Sequence, residues 1–363
     1  MNLMTQSKKA FIIAEAGVNH NGSIELAREL VDAAISAGAD AVKFQSFIAS
    51  AIVTADASKA EYQIANTGSS ESQLKMLQSL ELSQQQQREL YEYCQSRGIE
   101  FLSTPFDSAS LEFLTKNLGL RTIKIGSGEL TNAPFLLEVA QCADKIILST
   151  GMSTIDEVSE ALGVIAFGMT TQKDIAPTRT SMTAAFESPQ GKKAISERVT
   201  LLHCTTDYPT KPVDVNLNAM LTLGEKFSCQ IGFSDHSVGV HLAVAAVAMG
   251  ATIIEKHLTT SRALPGPDHQ ASLEPNEFKM LVSQIRELED ALGNGKKVPT
   301  EVEVQNKKIA RRSIVAARQI KIGEVFTKEN IVIKRPGTGR SPIEYWSLLN
   351  TKATRDIAEN EII

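Results

Sequence analysis

Short apolar runs alternate with longer amphipathic stretches along most of this chain. The runs are Phe11–Ala14, Ala41–Phe44, Ile99–Leu102, Thr122–Ile125, Lys145–Leu148, Val199–Leu202, Gln230–Phe233 and Thr252–Ile254. Most are apolar on both faces, as parallel strands covered by helices are. Between them the spacing predicts helices over Ile24–Ala37, Gln84–Ser96, Ser108–Lys116, Pro134–Cys142, Thr154–Ala166, Leu217–Leu223, Val238–Met249 and Pro275–Leu292. The last carries Phe278, Leu281, Val282, Ile285, Leu288 and Leu292 at i, i+3, i+4 spacing. Strand–helix units in this number predict a (β/α)8 barrel, a fold of about 250 residues. A doubly wound open sheet is the rival.

Two segments exceed a minimal barrel. Residues 54–80 follow the second run and are rich in Ser, Gln and Glu. They lie on the C-terminal side of a strand, where barrel loops build sites. Residues 167–198 mix Thr, Pro, Lys and Gly ahead of a strand, and read as ornament or a mobile surface loop. The barrel domain is expected over 1–292. A polar linker follows over 293–308, and a small, mostly β domain over 309–363. The β-like runs Ser313–Ala316 and Ile331–Ile333 mark that domain. It is marginal in size by itself and is expected to pack on the barrel or a partner subunit.

Composition narrows the class. The 363 residues are 42% hydrophobic and 22% charged, with 37 Lys+Arg against 42 Asp+Glu and a net charge of −5. That is ordinary globular usage. It offers no basic excess for a nucleic acid partner. Cys94, Cys142, Cys204 and Cys229 form no C-x-x-C pair and read as reduced thiols. The polar Met1–Lys9 start has no secretory pattern. Val238–Ile254 is too short and too interrupted to span a bilayer. A soluble cytoplasmic protein with no membrane partner is expected.

The candidate chemistry gathers where the strands end. These ends carry Glu15; Lys43 and Gln45; Ser103-Thr104-Pro105; Lys124 with Gly126-Ser127-Gly128-Glu129; Ser149-Thr150-Gly151; His203 to Tyr208; Ser234-Asp235-His236; and Glu255-Lys256-His257, with Asp268 beyond. Lys43 and Lys124 sit inside apolar runs, and a buried lysine is costly without an anion. Each either meets a core carboxylate such as Glu15 or Glu129, or the two together hold a dianionic ligand. Ser127, Ser149, Thr104 and Ser234 add donors suited to phosphate or carboxylate oxygens. His236 and His257 end adjacent strands. They are either satisfied core histidines or two imidazoles on a divalent ion of the Mn²⁺ or Mg²⁺ kind.

Together these stretches resemble the sialic acid (nonulosonate) synthase family. The resemblance rests on Ile13-Ala14-Glu15-Ala16-Gly17-Val18-Asn19-His20-Asn21-Gly22, Val42-Lys43-Phe44-Gln45, Ser103-Thr104-Pro105-Phe106, Lys124-Ile125-Gly126-Ser127-Gly128-Glu129, Ser149-Thr150-Gly151-Met152, Ser234-Asp235-His236 and Pro265-Gly266-Pro267-Asp268. The tail, Arg311-Arg312-Ser313-Ile314-Val315-Ala316 and Lys334-Arg335-Pro336-Gly337, resembles that family's antifreeze-like (SAF) domain.

The resemblance implies condensation of phosphoenolpyruvate with an N-acylated mannose-type sugar, giving a nine-carbon 2-keto sugar acid and phosphate. It implies that Lys43, Thr104, Lys124, Ser127, Ser149 and Ser234 hold the phosphoenolpyruvate, and that Glu15 acts at the reacting carbons. Gln45, Glu129, Tyr208 and Asp268 would contact the sugar. His236 and His257 would hold the metal, Mn²⁺ first, with Mg²⁺ or Co²⁺ as alternatives. It also implies a domain-swapped homodimer in which Arg335 reaches over the partner's barrel mouth.

Thr206 stands where N-acetylneuraminate synthases often have Asn. The acidic Asp207 before Tyr208, and Ala60-Glu61-Tyr62-Gln63, look more like legionaminate-type synthases, which use a 2,4-diacetamido-2,4,6-trideoxymannose. The alternative is an N-acetylneuraminate synthase using N-acetylmannosamine. Relatives of this kind lead one to expect a few residues beyond Ile363. More distant readings are a lysine Schiff-base aldolase and a non-enzymatic carbohydrate- or ice-binding protein.

Overall fold

The computed structural model describes residues 9–68, 71–172 and 174–363, so most of the N-terminal stretch read above lies outside the described residues, as does the side chain of Tyr62. The chain divides into two compact units, Met1–Gly293 and Asn294–Ile363.

The first unit holds one all-parallel sheet of eight strands: β1 Phe11–Gly17, β2 Ala41–Ser46, β3 Glu100–Pro105, β4 Thr122–Ile125, β5 Lys145–Ser149, β6 Val199–His203, β7 Gln230–Asp235 and β8 Ile253–His257. Strands adjacent in sequence pair in parallel except β3 and β4, and β1 also pairs with β8. β3 and β4 pack side by side without a ladder between them, which closes a (β/α)8 barrel.

The helices follow from local chemistry. Ser23 caps Ile24–Ala37 by accepting from the Leu26 amide, and Gly38 ends it at φ 82°, a conformation glycine adopts freely. Thr154 and Glu157 form a reciprocal capping box at the start of Ile155–Thr170.

Period-two alternation sorts each strand into two faces. Ile12, Val42, Phe101, Ile123, Ile146, Leu201 and Ile254 join the helices in the main core. The opposite face fills the barrel. Its floor is a smaller apolar cluster of Ile13, Ala41, Leu102, Ile147, Leu202 and Ile253. Gly232 belongs to this layer by close approach, since a Cβ there would stand 2.5 Å from the Ile253 carbonyl oxygen and 2.6 Å from Leu202 Cδ2. One inward step toward the strand ends, the floor gives way to Glu15, Lys43, Thr104, Lys124, Ser149, Ser234 and Glu255.

Most strands therefore run beyond the apolar runs, typically by one to three residues at the C-terminal end. The ladder continues while the inward side chains become polar, and hydropathy alone reads that change as a strand end.

Two further differences have physical reasons. The stretch 167–198 is largely helical, as Arg179–Glu187 and Pro189–Arg198, capped by Thr178 and Ser188. Met182, Ala185 and Phe186 pack on the main core, so this is a packed layer rather than a surface loop. In the polar stretch read as a linker, Glu301–Ala310 is a helix with a Thr300/Glu303 capping box.

The second unit is built on the antiparallel pair β9 Ser313–Ala316 and β10 Ile331–Lys334. Its core is Ile314, Ala316, Ile320, Phe326, Ile331, Leu348, Ala353 and Ile357. Among the described residues, no helix is long and apolar enough to cross a membrane. None of the four cysteines is in a disulfide.

Candidate active site

A cavity of about 310 Å³ opens at the C-terminal ends of the strands. Twelve of the fourteen site residues expected from sequence line it: Glu15, Lys43, Gln45, Thr104, Lys124, Ser127, Ser149, Tyr208, Ser234, His236, His257 and Asp268. Glu129 does not. It lies on the short turn Ser127–Glu129, where its carboxylate accepts from Asn132 Nδ2 at 2.6 Å. Arg335 belongs to the second unit, where its Nε donates to the Ala310 carbonyl at 3.0 Å.

The centre of the cavity is a charge cluster. Lys43 Nζ lies 2.5 Å from Glu15 Oε2 and 3.6 Å from Glu255 Oε2, and donates to Thr104 Oγ1 at 3.0 Å. Lys124 Nζ lies 3.5 Å from Glu255 Oε1 and donates to its neighbour's carbonyl, that of Ile125, at 3.3 Å. Ser234 Oγ donates to Glu255 Oε1 at 2.8 Å. The carboxylates between the lysines are thus Glu15 and Glu255, and Glu129 takes no part.

Glu255 is the residue that sequence reasoning missed. It sits between Ile253 and His257 on alternate positions of β8, in register with Ser234. That parity was the available signal.

Surroundings split the two carboxyls. Burial pushes Glu15 up to about 7; Lys43 opposes this and Glu255 adds to it. Burial acts on Glu255 in the same direction, but Lys124 and Lys43 outweigh it and hold its carboxyl down at about 2. Near neutrality Glu255 is therefore a fixed counter-ion, and Glu15 is poised to take or give a proton. Two ammonium groups face one firmly ionised carboxylate, and the surplus positive charge suits a dianion.

The oxygen-binding rim is close-packed. Ser127 Oγ accepts from the Gly151 amide at 3.0 Å and meets Cys204 Sγ at 3.2 Å. A Cβ on Gly151 would come within 2.6 Å of Thr206 Oγ1 and 2.8 Å of Ser127 Oγ, so glycine lets the loops converge here.

His236 and His257 lie side by side, ring centroids 5.6 Å apart, with the Tyr208 ring 4.2 Å from His236 and tilted 32° to it. Burial lowers both imidazole pKa values, that of His236 to about 4, and His236 further lowers that of His257, so both rings are neutral. His236 Nδ1 donates to the Thr205 carbonyl at 2.7 Å, which places the lone pair on Nε2. Ser234 Oγ, 3.3 Å from Nε2, spends its single proton on Glu255. His257 Nδ1 is buried with no hydrogen-bond partner, a loss of about 1–3 kcal/mol for such a group. Two neutral imidazoles with uncommitted nitrogens fit a divalent cation. Among the described residues no group of three or more His, Cys, Asp or Glu side chains is arranged around one ion. Such a site would stay open to water or substrate oxygens.

The outer wall is different. Helices Glu61–Thr67 and Gln73–Leu80 contribute Gln63, Gln73, Met76, Leu77 and Leu80, joined by Ile52, Val53 and Phe106. Asn66 Nδ2 donates to the Pro267 carbonyl at 2.6 Å and so ties this wall to the loop carrying Asp268. Burial raises the Asp268 carboxyl to about 6.

Comparison with known proteins identifies the assembly. Residues 30–297 match the NeuB family, and residues 311–363 match the SAF domain. The chain is 45% identical to an N,N'-diacetyllegionaminic acid synthase of Campylobacter jejuni, over 98% of this chain and 99% of that one. It is 42% identical to an N,N'-diacetyllegionaminic acid synthase of Legionella pneumophila, over 97% and 92%. The N-acetylneuraminic acid (sialic acid) synthetase of Leptospira borgpetersenii, solved with citrate, superimposes with a TM-score of 0.64 at 32% identity, over 82% of this chain and 90% of that one.

Proposed function

This chain belongs to the NeuB family and carries a C-terminal SAF domain, and on that premise we propose that it condenses phosphoenolpyruvate with 2,4-diacetamido-2,4,6-trideoxymannose to give N,N'-diacetyllegionaminate and phosphate. The observation that carries the reading is the pair Lys43 and Lys124 flanking Glu255 at the bottom of the cavity, with Glu15 and two neutral imidazoles beside them.

Lys43, Lys124 and the hydroxyls of Thr104, Ser127, Ser149 and Ser234 bind the carboxylate and phosphate of phosphoenolpyruvate. Its methylene carbon attacks the aldehyde carbon of the open-chain sugar, forming the new carbon–carbon bond. His236 and His257 would hold a divalent cation, Mn²⁺ first, which would supply Lewis-acid polarisation of the sugar aldehyde. Positive charge develops at the second carbon of the former phosphoenolpyruvate, and water adds there. Glu15 takes the proton from that water, and the protonated acid can supply the one the new hydroxyl needs. The carbon–oxygen bond to phosphate then breaks, the hydroxyl on the same carbon gives its proton to the departing phosphate and becomes the keto group, and the lysines offset the phosphate's charge.

Two features favour the diacetamido sugar over N-acetylmannosamine. Both diacetyllegionaminic acid synthases are more similar to this chain than the sialic acid synthetase is. The wall of Ile52, Val53, Met76, Leu77 and Leu80 suits a C6 methyl, while Gln63 and Gln73 offer amide partners. The small domain of one subunit covering its partner's mouth, with Arg335 reaching the sugar, is part of this reading, as is a cytoplasmic setting.

The test is phosphate release from phosphoenolpyruvate with each sugar. We expect the diacetamido sugar to be preferred in kcat/KM by about tenfold to a hundredfold, the range an apolar pocket achieves, and a chelator to stop turnover until Mn²⁺ is added back. In the same assay Arg335→Ala raises the KM for sugar and spares that for phosphoenolpyruvate. A preference for N-acetylmannosamine would overturn the acceptor assignment, and chelator-insensitive turnover would overturn the metal.

A further inference from the structure

Next to the two histidines in sequence stands an ion pair that does not line the cavity. Asp235 and Lys256 are register partners on β7 and β8, one residue out of phase with the cavity-lining Ser234 and Glu255. Asp235 Oδ2 lies 2.8 Å from Lys256 Nζ, and both side chains are 0% exposed.

The pair also organises the turn that carries His236. Asp235 Oδ1 accepts from the Ser237 amide at 2.8 Å and from Ser237 Oγ at 2.6 Å. Lys256 Nζ donates in addition to the Ser237 carbonyl. The Thr210 amide donates to the His236 carbonyl at 2.9 Å. His236 is thus gripped between two residues fixed by Lys256, while Lys256 itself stands between Glu255 and His257 in sequence.

Burying two charges costs several kcal/mol per ion, and an apolar replacement of such a pair is often neutral or stabilising. Stability alone is a poor reason for it to be here. The geometry supplies another: one ionic tie across β7 and β8 sets the separation and aim of the two rings on the opposite face.

We propose that Asp235 and Lys256 are positioning residues that hold His236 and His257 at the spacing a divalent cation requires. This rests on the two-histidine metal reading above. Outer residues that orient metal ligands are typically worth 10-fold to 100-fold in metal affinity.

The decisive variant is Asp235→Asn combined with Lys256→Met in the full chain. Asn keeps the acceptor for the Ser237 amide, and both charges leave together, so no bare charge is left buried. Mn²⁺ binding is read from the electron paramagnetic resonance of free Mn²⁺, and phosphoenolpyruvate binding from calorimetry without metal. With unchanged circular dichroism, we expect Mn²⁺ affinity to fall by about tenfold or more while phosphoenolpyruvate affinity stays within about twofold. Asp235→Ala, which also removes the turn acceptor, should lose more.

Wild-type Mn²⁺ affinity in the double variant would overturn the proposal. So would equal losses for both ligands, because that is general loosening. If the unaltered protein bound no Mn²⁺ at all, the metal reading itself would fall, and this would be visible before any variant was compared.

Discussion

Glu15→Gln is expected to lower kcat by about 10²–10⁴-fold, the usual contribution of a positioned acid or base. The fold should survive, because Gln is close in shape and the adjacent Lys43 keeps Glu255 and Thr104 as partners. What disappears is the carboxyl beside the lysines that is held up at about 7, since Glu255 is pinned down at about 2 by Lys124 and Lys43, while Asp268 on the outer loop stands lower, at about 6. The pH dependence has a definite sign. A base raised to about 7 is ionised above that value and protonated below it. In the unaltered enzyme kcat/KM should therefore fall as pH drops through about 7, and in Glu15→Gln that limb should be gone. Steady-state phosphate release from pH 5 to 9 decides it. An unchanged acid limb in the variant would assign the titration to another group.

His236→Ala should cost at least about a hundredfold in turnover, since Lewis-acid polarisation is worth several kcal/mol of transition-state stabilisation. The loss should lie in the metal-dependent step. Lys43, Lys124 and the rim hydroxyls remain, so binding of phosphoenolpyruvate without metal should change little. Mn²⁺ titration of the variant, followed by activity and by bound metal together, separates the two. Full metal-dependent activity in His236→Ala would remove this ring from the site and leave it a satisfied core histidine.

Much of this was legible because the barrel obliges inward-facing polar residues to interrupt apolar strands. Lys43 and Lys124 stood out as charges inside β-runs, and His236 and His257 as the ends of neighbouring ones. Glu255 did not, because Glu255-Lys256-His257 reads as a uniformly polar strand end until pairing separates an inward Glu255 from an outward Lys256. The same parity hid the Asp235–Lys256 tie. Glu129 stands outside the lysine cluster for a different reason: the tight turn after β4 swings its carboxylate onto Asn132, and residue order alone does not reveal which way a short turn faces. The segment 167–198 looked irregular because its helices are polar and short, and their packing on Ile155–Thr170 leaves only a weak apolar stripe.

The central claim is that the lysine pair and the histidine pair serve one pocket, so that phosphoenolpyruvate lies beside the cation. The most direct measurement is the phosphorus NMR relaxation of enzyme-bound phosphoenolpyruvate during Mn²⁺ titration. Strong paramagnetic broadening is expected in the unaltered protein, and its loss in His236→Ala at Mn²⁺ levels that saturate the unaltered site. Phosphoenolpyruvate that binds tightly yet shows no broadening with Mn²⁺ also bound would place the two ligands in separate sites and contradict the mechanism.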